Sequence, residues 1–270
     1  MTLINDILAY LPTFAVNVAR LCLWLVLLSL VFVPLERWLA VRKARLTRRA
    51  LALNLGLYFL NSLLPAAILG ALMAVVAVAA QAVLPAAVPA AMGALPLAVK
   101  LPLSMLIAET GFYWGHRLSH RLPWLWHFHS VHHKPEHLYF LINTHAHPVD
   151  MIVTRLFGMT PLYALGLAGA SAGGSAAPAL VIVIGTAWGF FIHSNLRVRL
   201  GPLESIIATP AFHHWHHTSV APLDRNFAST LPFLDRVFGT WHLPAEWPEA
   251  YGLHRDAIIR RPQHDEESFG

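Results

Sequence analysis

The chain has 270 residues, 56% of them hydrophobic and only 12% charged, with a net charge of +5. So little charge argues against an ordinary soluble domain, and basic residues that flank apolar runs instead of forming a basic domain point to an anionic membrane surface rather than to nucleic acid. The single cysteine, Cys22, excludes an internal disulfide, a Cys-x-x-Cys metal knuckle and a dithiol redox pair.

Two stretches, 51–99 and 156–196, contain no Asp, Glu, Lys or Arg. Each such charge at mid-bilayer costs about 2.5–3.5 kcal/mol on insertion scales, so long charge-free apolar runs read as membrane-embedded. In chain order, residues 3–12 suit a short interfacial helix, and a first span runs from about Phe14 to Pro34, with Arg20 near one end where it can snorkel. No basic n-region or small-residue cleavage site precedes this run, so it does not read as a cleaved signal. Arg37, Arg42, Lys43, Arg45, Arg48 and Arg49 follow against the lone Glu36. The positive-inside rule makes that loop cytoplasmic and puts the N-terminus on the far side. The stretch 51–99, extended to about Tyr113, is long enough for two spans, interrupted by Asn61, Gln81 and prolines at 65, 85, 89 and 96. The stretch 156–196 is a hairpin around Gly169–Pro178 whose first arm is short for a full crossing, and it emerges at Arg197 and Arg199. Both hairpins return the chain to the cytoplasmic side. Residues 197–270 form a water-facing cap, with a charged, poorly ordered tail from about Arg255.

The expected fold class is therefore all-α: an integral, multi-pass membrane bundle of about four or five spans or half-spans, with a histidine-rich helical cap on the cytoplasmic face of a bacterial inner membrane. The expected division is an N-terminal membrane region at 1–99, a catalytic region at 100–243 containing the hairpin 156–196, and a tail at 244–270.

Histidines carry the chemistry. Six lie between His116 and His133, and a second cluster reads His213-His214-Trp215-His216-His217. Residues at i, i+3 and i+4 share a helical face. His116 and His120 have that spacing, as do His129, His132 and His133, and again His213, His216 and His217, so three faces offer eight imidazoles. Neutral imidazole suits Fe, Zn, Cu or Ni, and eight ligands are too many for one ion, so a pair of ions is the natural count. His193, at the end of an apolar arm on the same side, is a ninth candidate, and His147 a further one. His127, His145 and His214 break the spacing and suit supporting roles; His137, His242, His254 and His264 read as ordinary surface or core residues. His-Glu-x-x-His is absent, which argues against a zinc protease. Trp124, Trp126, Phe128 and Trp215 suit interfacial anchoring. Glu109, seven residues before His116 on the same face, is the best candidate for a carboxylate supporting the site, with Asp150 and Asp235 weaker.

The order His-x-x-x-His, His-x-x-His-His, His-x-x-His-His among membrane hairpins resembles the fatty acid hydroxylase/sterol desaturase superfamily. The likeness includes His147-Pro148, His193-Ser-Asn195 and the run Asn226-Phe-Ala-Ser-Thr-Leu-Pro-Phe-Leu-Asp235-Arg-Val-Phe-Gly239-Thr240, and covers roughly residues 100–243. It implies a non-haem di-iron centre that uses O2 to hydroxylate or desaturate a lipid. The implied iron ligands are His116, His120, His129, His132, His133, His213, His216 and His217, completed by His193. Arg197 stands where some relatives offer another histidine. A fused cytochrome b5 domain is also missing, which implies a separate electron donor, cytochrome b5-like or a ferredoxin with its reductase. Sterol, fatty acyl lipid, carotenoid and aminolipid all fit an apolar cavity. Two rivals remain: a membrane protein with a non-redox metal site, such as a zinc site or transporter, and a lipid-binding protein with a vestigial site. The charge-free spans argue against transport.

Overall fold

The computed structural model describes residues 13–43, 46–168 and 176–253. The expected interfacial helix at 3–12, most of the small-residue break after Gly169, and the charged tail with His254 and His264 lie outside them. Among the described residues the regular elements are helical: α1 (Thr13–Trp38), α2 (Arg48–Val83), α3 (Ala87–Gly93), α4 (Leu97–Arg121), α5 (Pro123–His133), α6 (Pro148–Ala164), α7 (Ala177–His193), α8 (Pro210–His216) and α9 (Phe233–Val237). Two 3₁₀ turns, Phe140–Thr144 and Gly201–Ser205, join them. The 99/100 division expected from the sequence falls within α4.

This is an α-helical membrane protein. Helices α1 and α2 are long and apolar enough to cross a bilayer, α3 and α4 form one broken unit bent by 117°, and α7 is a shorter apolar helix. The two spans expected in 51–113 thus become one long helix followed by a bent pair. Prolines explain the difference. Pro65 lies inside α2 and is absorbed, whereas Pro85, Pro89 and Pro96 cluster where α2 has ended and α4 begins. At 36 residues, α2 is roughly 54 Å long, well beyond a hydrocarbon core of about 30 Å.

The N-terminal half of α2 buries Asn54, Tyr58 and Asn61. Polar groups in such a helix need partners. Asn61 Nδ2 donates to the carbonyls of Thr144 and Ala146 at 2.9 and 2.8 Å, Asn54 Nδ2 bonds the Tyr139 hydroxyl, and Tyr58 donates to Leu21 O on α1 at 2.9 Å. Asn61, read from the sequence as an interruption, anchors the loop between α5 and α6.

Helices α4 and α6 make the tightest packing. A Cβ at Gly111 would stand 2.1 Å from the Phe157 carbonyl oxygen, and one at Gly158 3.1 Å from that of Ala108. Small residues let the two backbones close up where the 108–115 stretch of α4 meets Phe157 and Gly158 of α6. At the same end the Glu36 carboxylate accepts the N–H groups of Phe140 and Asn195 at 2.8 and 2.9 Å. Asn195 Oδ1 accepts those of Val41 and Arg42 at 3.1 and 3.2 Å, and Ala40 bridges Leu196. The basic loop after α1, the loop after α5 and the end of α7 are thereby tied together. Arg197 joins this seam, its guanidinium donating to Val41 O at 3.2 Å.

Gly111→Ala should lower stability by about 3 kcal/mol or more, because backbone and not a flexible side chain must give way. Gly56, whose Cβ would meet open space, should tolerate alanine within about 1 kcal/mol. Thermal unfolding of both variants in detergent checks the contrast.

A buried candidate metal centre

Four short-range structural choices put the histidines together. Helix α4 ends with His116 and His120. Pro123 opens α5 at once, and its last turns present His129, His132 and His133. Helix α7 closes on His193. Thr209 caps α8 through its hydroxyl, which accepts from Phe212 N at 3.3 Å, and α8 carries His213 and His216, with His217 as its C-cap.

All nine histidines named from spacing and resemblance are buried, and they fall into two groups. His116, His120, His129, His133 and His216 form one; His132, His193, His213 and His217 form the other. Within each group a ligand-type nitrogen from every ring lies within 4.8 Å of the rest. The groups adjoin, with the rings of His133 and His217 stacked at 4.6 Å between centroids. His147 is not among them: its Nδ1 accepts the Val149 N–H at 3.2 Å and caps α6. Arg197, turned to Val41, adds no side chain to either group.

The tautomers are set from behind. Nδ1 of His116 donates to Phe227 O (2.7 Å), of His132 to His145 O (3.0 Å), of His193 to Gly189 O (2.7 Å) and of His216 to Arg225 O (2.8 Å). Nδ1 of His120 donates to Asp224 Oδ1 (2.8 Å), and that of His129 to Asp150 Oδ1 (2.9 Å). A carbonyl can only accept, so the proton sits on Nδ1 and the lone pair on Nε2. Nε2 of His193 then stands 3.1 Å from Nε2 of His132 and 2.9 Å from Nε2 of His213. Nε2 of His116, His120 and His216 is buried with no hydrogen-bond partner among the described residues. Converging lone pairs without a donor are mutually repulsive, and a cation is what satisfies them. The donor set therefore fits metal ions held by neutral imidazoles.

Burial keeps these rings neutral. It holds His132, His133, His213 and His217 well below the ordinary histidine range and His216 at about 3, and neighbouring imidazoles push the same way. His214, next to His213 in the chain, points elsewhere: Tyr251 donates to its Nδ1 at 2.9 Å and its Nε2 donates to Ser194 O at 3.0 Å. It is a structural bolt between α8, the end of α7 and the chain near 251.

The carboxylates are redistributed. Glu109 contacts no imidazole; it accepts the Thr230 N–H at 2.7 Å and the Ser229 hydroxyl at 2.9 Å, clamping the 229–231 segment. Seven residues of helix put it about 10 Å before His116 along α4, too far to reach that ring. Asp235 acts through the chain: it accepts the N–H groups of Phe227 and Ala228 at 2.7 and 2.9 Å, which holds the Phe227 carbonyl on His116. Asp150, ranked lower from sequence, bonds a histidine directly. Asp224 was not anticipated. Its only local sign is a loop rich in turn formers, where it and Asn226 adopt positive φ of 56° and 57°. Trp126 lies 5.0 Å from His120 and 5.5 Å from His133 between ring centroids, covering the site as much as anchoring it.

An apolar cavity of about 700 Å³ runs from α1 and α2 between α4, α6 and α7 to the histidines, where His116, His129, His132, His193 and His213 line its wall. That volume is in the range of small-molecule and lipid-chain sites.

The family model described as fatty acid hydroxylase matches residues 101–240, just over half of the chain. An ornithine lipid hydroxylase, OlsE, of Rhizobium tropici is 37% identical over 154 residues, covering 55% of this chain and 44% of that protein. An alkylglycerol monooxygenase of Danio rerio is 35% identical over 153 residues, covering 56% of this chain and 32% of its own length. A very-long-chain aldehyde decarbonylase, GL1-11, of Oryza sativa is 30% identical over 141 residues, covering 48% of this chain and 47% of its own. The matches thus span less than half of these relatives. No solved structure matches the chain significantly.

His214 gives the site a measurable pH response. Its folded value near 3 lies below the ordinary 6.5, so between the two only the unfolded chain carries the proton. Stability contributed by neutral His214 is full above about pH 6.5 and is lost as pH falls, by about 1.4 kcal/mol per unit. Thermal unfolding from pH 7.5 to 5 should show His214→Gln less stable at pH 7.5 but losing stability less steeply than the parent on acidification.

Proposed function

This chain belongs to the fatty acid hydroxylase family, and we propose that it is a membrane-bound, O2-dependent di-iron oxygenase that hydroxylates a lipid. The observation that carries the reading is the convergence of nine buried histidines, in groups of five and four, on the inner end of an apolar cavity. Two iron ions, one per group, would activate dioxygen for insertion of one oxygen atom into a C–H bond, the other leaving as water at the cost of two electrons and two protons.

The remaining work belongs to the protein. In this reading His116, His120, His129, His133 and His216 hold one ion, and His132, His193, His213 and His217 the other. Asp150, Asp224 and four backbone carbonyls keep Nδ1 protonated and Nε2 free. The apolar wall excludes water and aligns a chain against the histidines, which limits side reactions of an oxidising site. Both similar enzymes named as lipid hydroxylase and alkylglycerol monooxygenase insert oxygen by name, which supports hydroxylation over desaturation. The basic loop after α1 is tied to the same end as the histidines, which supports a cytoplasmic site served by a separate donor such as a cytochrome b5-like protein or a ferredoxin with its reductase.

Purified protein should contain two irons per chain and consume dioxygen on reduction; stoichiometric zinc with no dioxygen uptake would overturn the reading in favour of a non-redox metal site. His132→Ala and His216→Ala should each abolish activity, and intact function in either would point to a vestigial site. Asp150→Asn, which keeps shape but weakens the grip on His129, should lower metal affinity 10–100-fold in chelator competition.

A further inference from the structure

Three charged side chains line the cavity: Glu109, Asp150 and Arg155. Glu109 is engaged by the backbone and hydroxyl groups of Ser229 and Thr230, and Asp150 by His129. Arg155, in the middle of α6, has no hydrogen bond and no ion pair among the described residues, although it stands in a wall otherwise dominated by apolar side chains. The ion pairs found there are His120 with Asp224 and His129 with Asp150. A half-buried guanidinium in apolar surroundings without a counter-charge is unfavourably placed, and it presents five donors in a fork that matches planar or tetrahedral oxyanions. Its position is also set relative to the chemistry. Arg155 follows Asp150 by five residues, about one and a half turns along the same helix, and Asp150 is bonded to His129.

Resting on the lipid-oxidation reading above, we propose that Arg155 binds the anionic head of the substrate, so that the substrate class is an amphiphile bearing a carboxylate or phosphate group. A sterol, a neutral ether lipid or a carotenoid would leave the guanidinium unpaired and would be selected against. The apolar remainder of the cavity takes the chain, and the charged end fixes how far that chain slides past the histidines.

The test is equilibrium binding of three probes with one chain length, hexadecanoate, hexadecyl phosphate and hexadecanol, to the full-length, iron-loaded protein in phosphatidylcholine nanodiscs, corrected for partition into empty discs. The expected result is that at least one anionic probe binds about tenfold or more tightly than the alcohol. Whichever of carboxylate and phosphate wins names the head group. Arg155→Gln should erase the preference and Arg155→Lys keep most of it, with iron content and helical signal confirming that the variants are folded. Equal binding of all three probes to the parent protein would overturn the proposal without recourse to any variant, as would a folded Arg155→Gln that still discriminates. Dioxygen uptake on the same samples reports separately: anion preference without uptake sinks the oxygenase reading and leaves the role of Arg155 standing.

Discussion

Everything in the cap follows from where the imidazole protons sit. A buried histidine has two nitrogens and, when neutral, one proton, so a partner for Nδ1 decides what Nε2 can do. Six of the nine histidines have that partner supplied by a carbonyl or carboxylate. The consequence is that Nε2 of these rings turns a lone pair inward, and for His116, His120 and His216 no group among the described residues satisfies it. The helices, the seam at Glu36 and Asn195, and the loop anchored by Asn54 and Asn61 all serve to hold acceptors at the backs of these rings. Fold and site are in this sense a single construction, because the carbonyl that receives the His132 proton belongs to His145, in the loop that Asn61 bonds on either side.

The membrane half contributes shape more than contacts. Glycines at 111 and 158 let α4 and α6 approach until backbone meets backbone, and this brings His116 and Asp150 to one end of the same cavity wall. The cavity then runs away from the histidine end between helices whose inner surfaces are apolar. The histidines at one end and the apolar walls along the rest form one continuous cavity, and water has little reason to enter it.

What could be read from the residues was the part that repeats. Spacings of three and four on a helix mark a shared face whatever the tertiary structure, so the coming together of His129, His132 and His133, and of His213, His216 and His217, was legible, but not that His132 joins the group of four and His216 the group of five. The charge-free stretches likewise announced the membrane. Backbone acceptors left no trace, because a carbonyl at 225 or 227 looks like any other in a sequence. Asp224 lies more than a hundred residues from the ring it supports, and only the tertiary fold joins them. Glu109 shares a helical face with His116, but a shared face says nothing about distance along the axis, and its hydrogen bonds go to Ser229 and Thr230. Arg197, suspicious as a substitute for a ligand, turned out to be employed in the seam with Val41. The number of spans was blurred by Pro65, which reads as a break and is carried within α2.

The two histidine groups are not mechanical equals. In the group of five, His116, His120 and His216 all lean on one loop, through Phe227, Asp224 and Arg225. That loop contains two residues with positive φ, and the Asp224 side chain is 65% exposed. In the group of four, His193 leans on a carbonyl of its own helix and His132 on a loop pinned by asparagines from α2. A local opening of residues 224–227 would therefore slacken three supports at once on one side and none on the other. Any change that displaces residues 224–227 thus reaches the group of five through three of its rings together, whereas the group of four hangs on no such single segment.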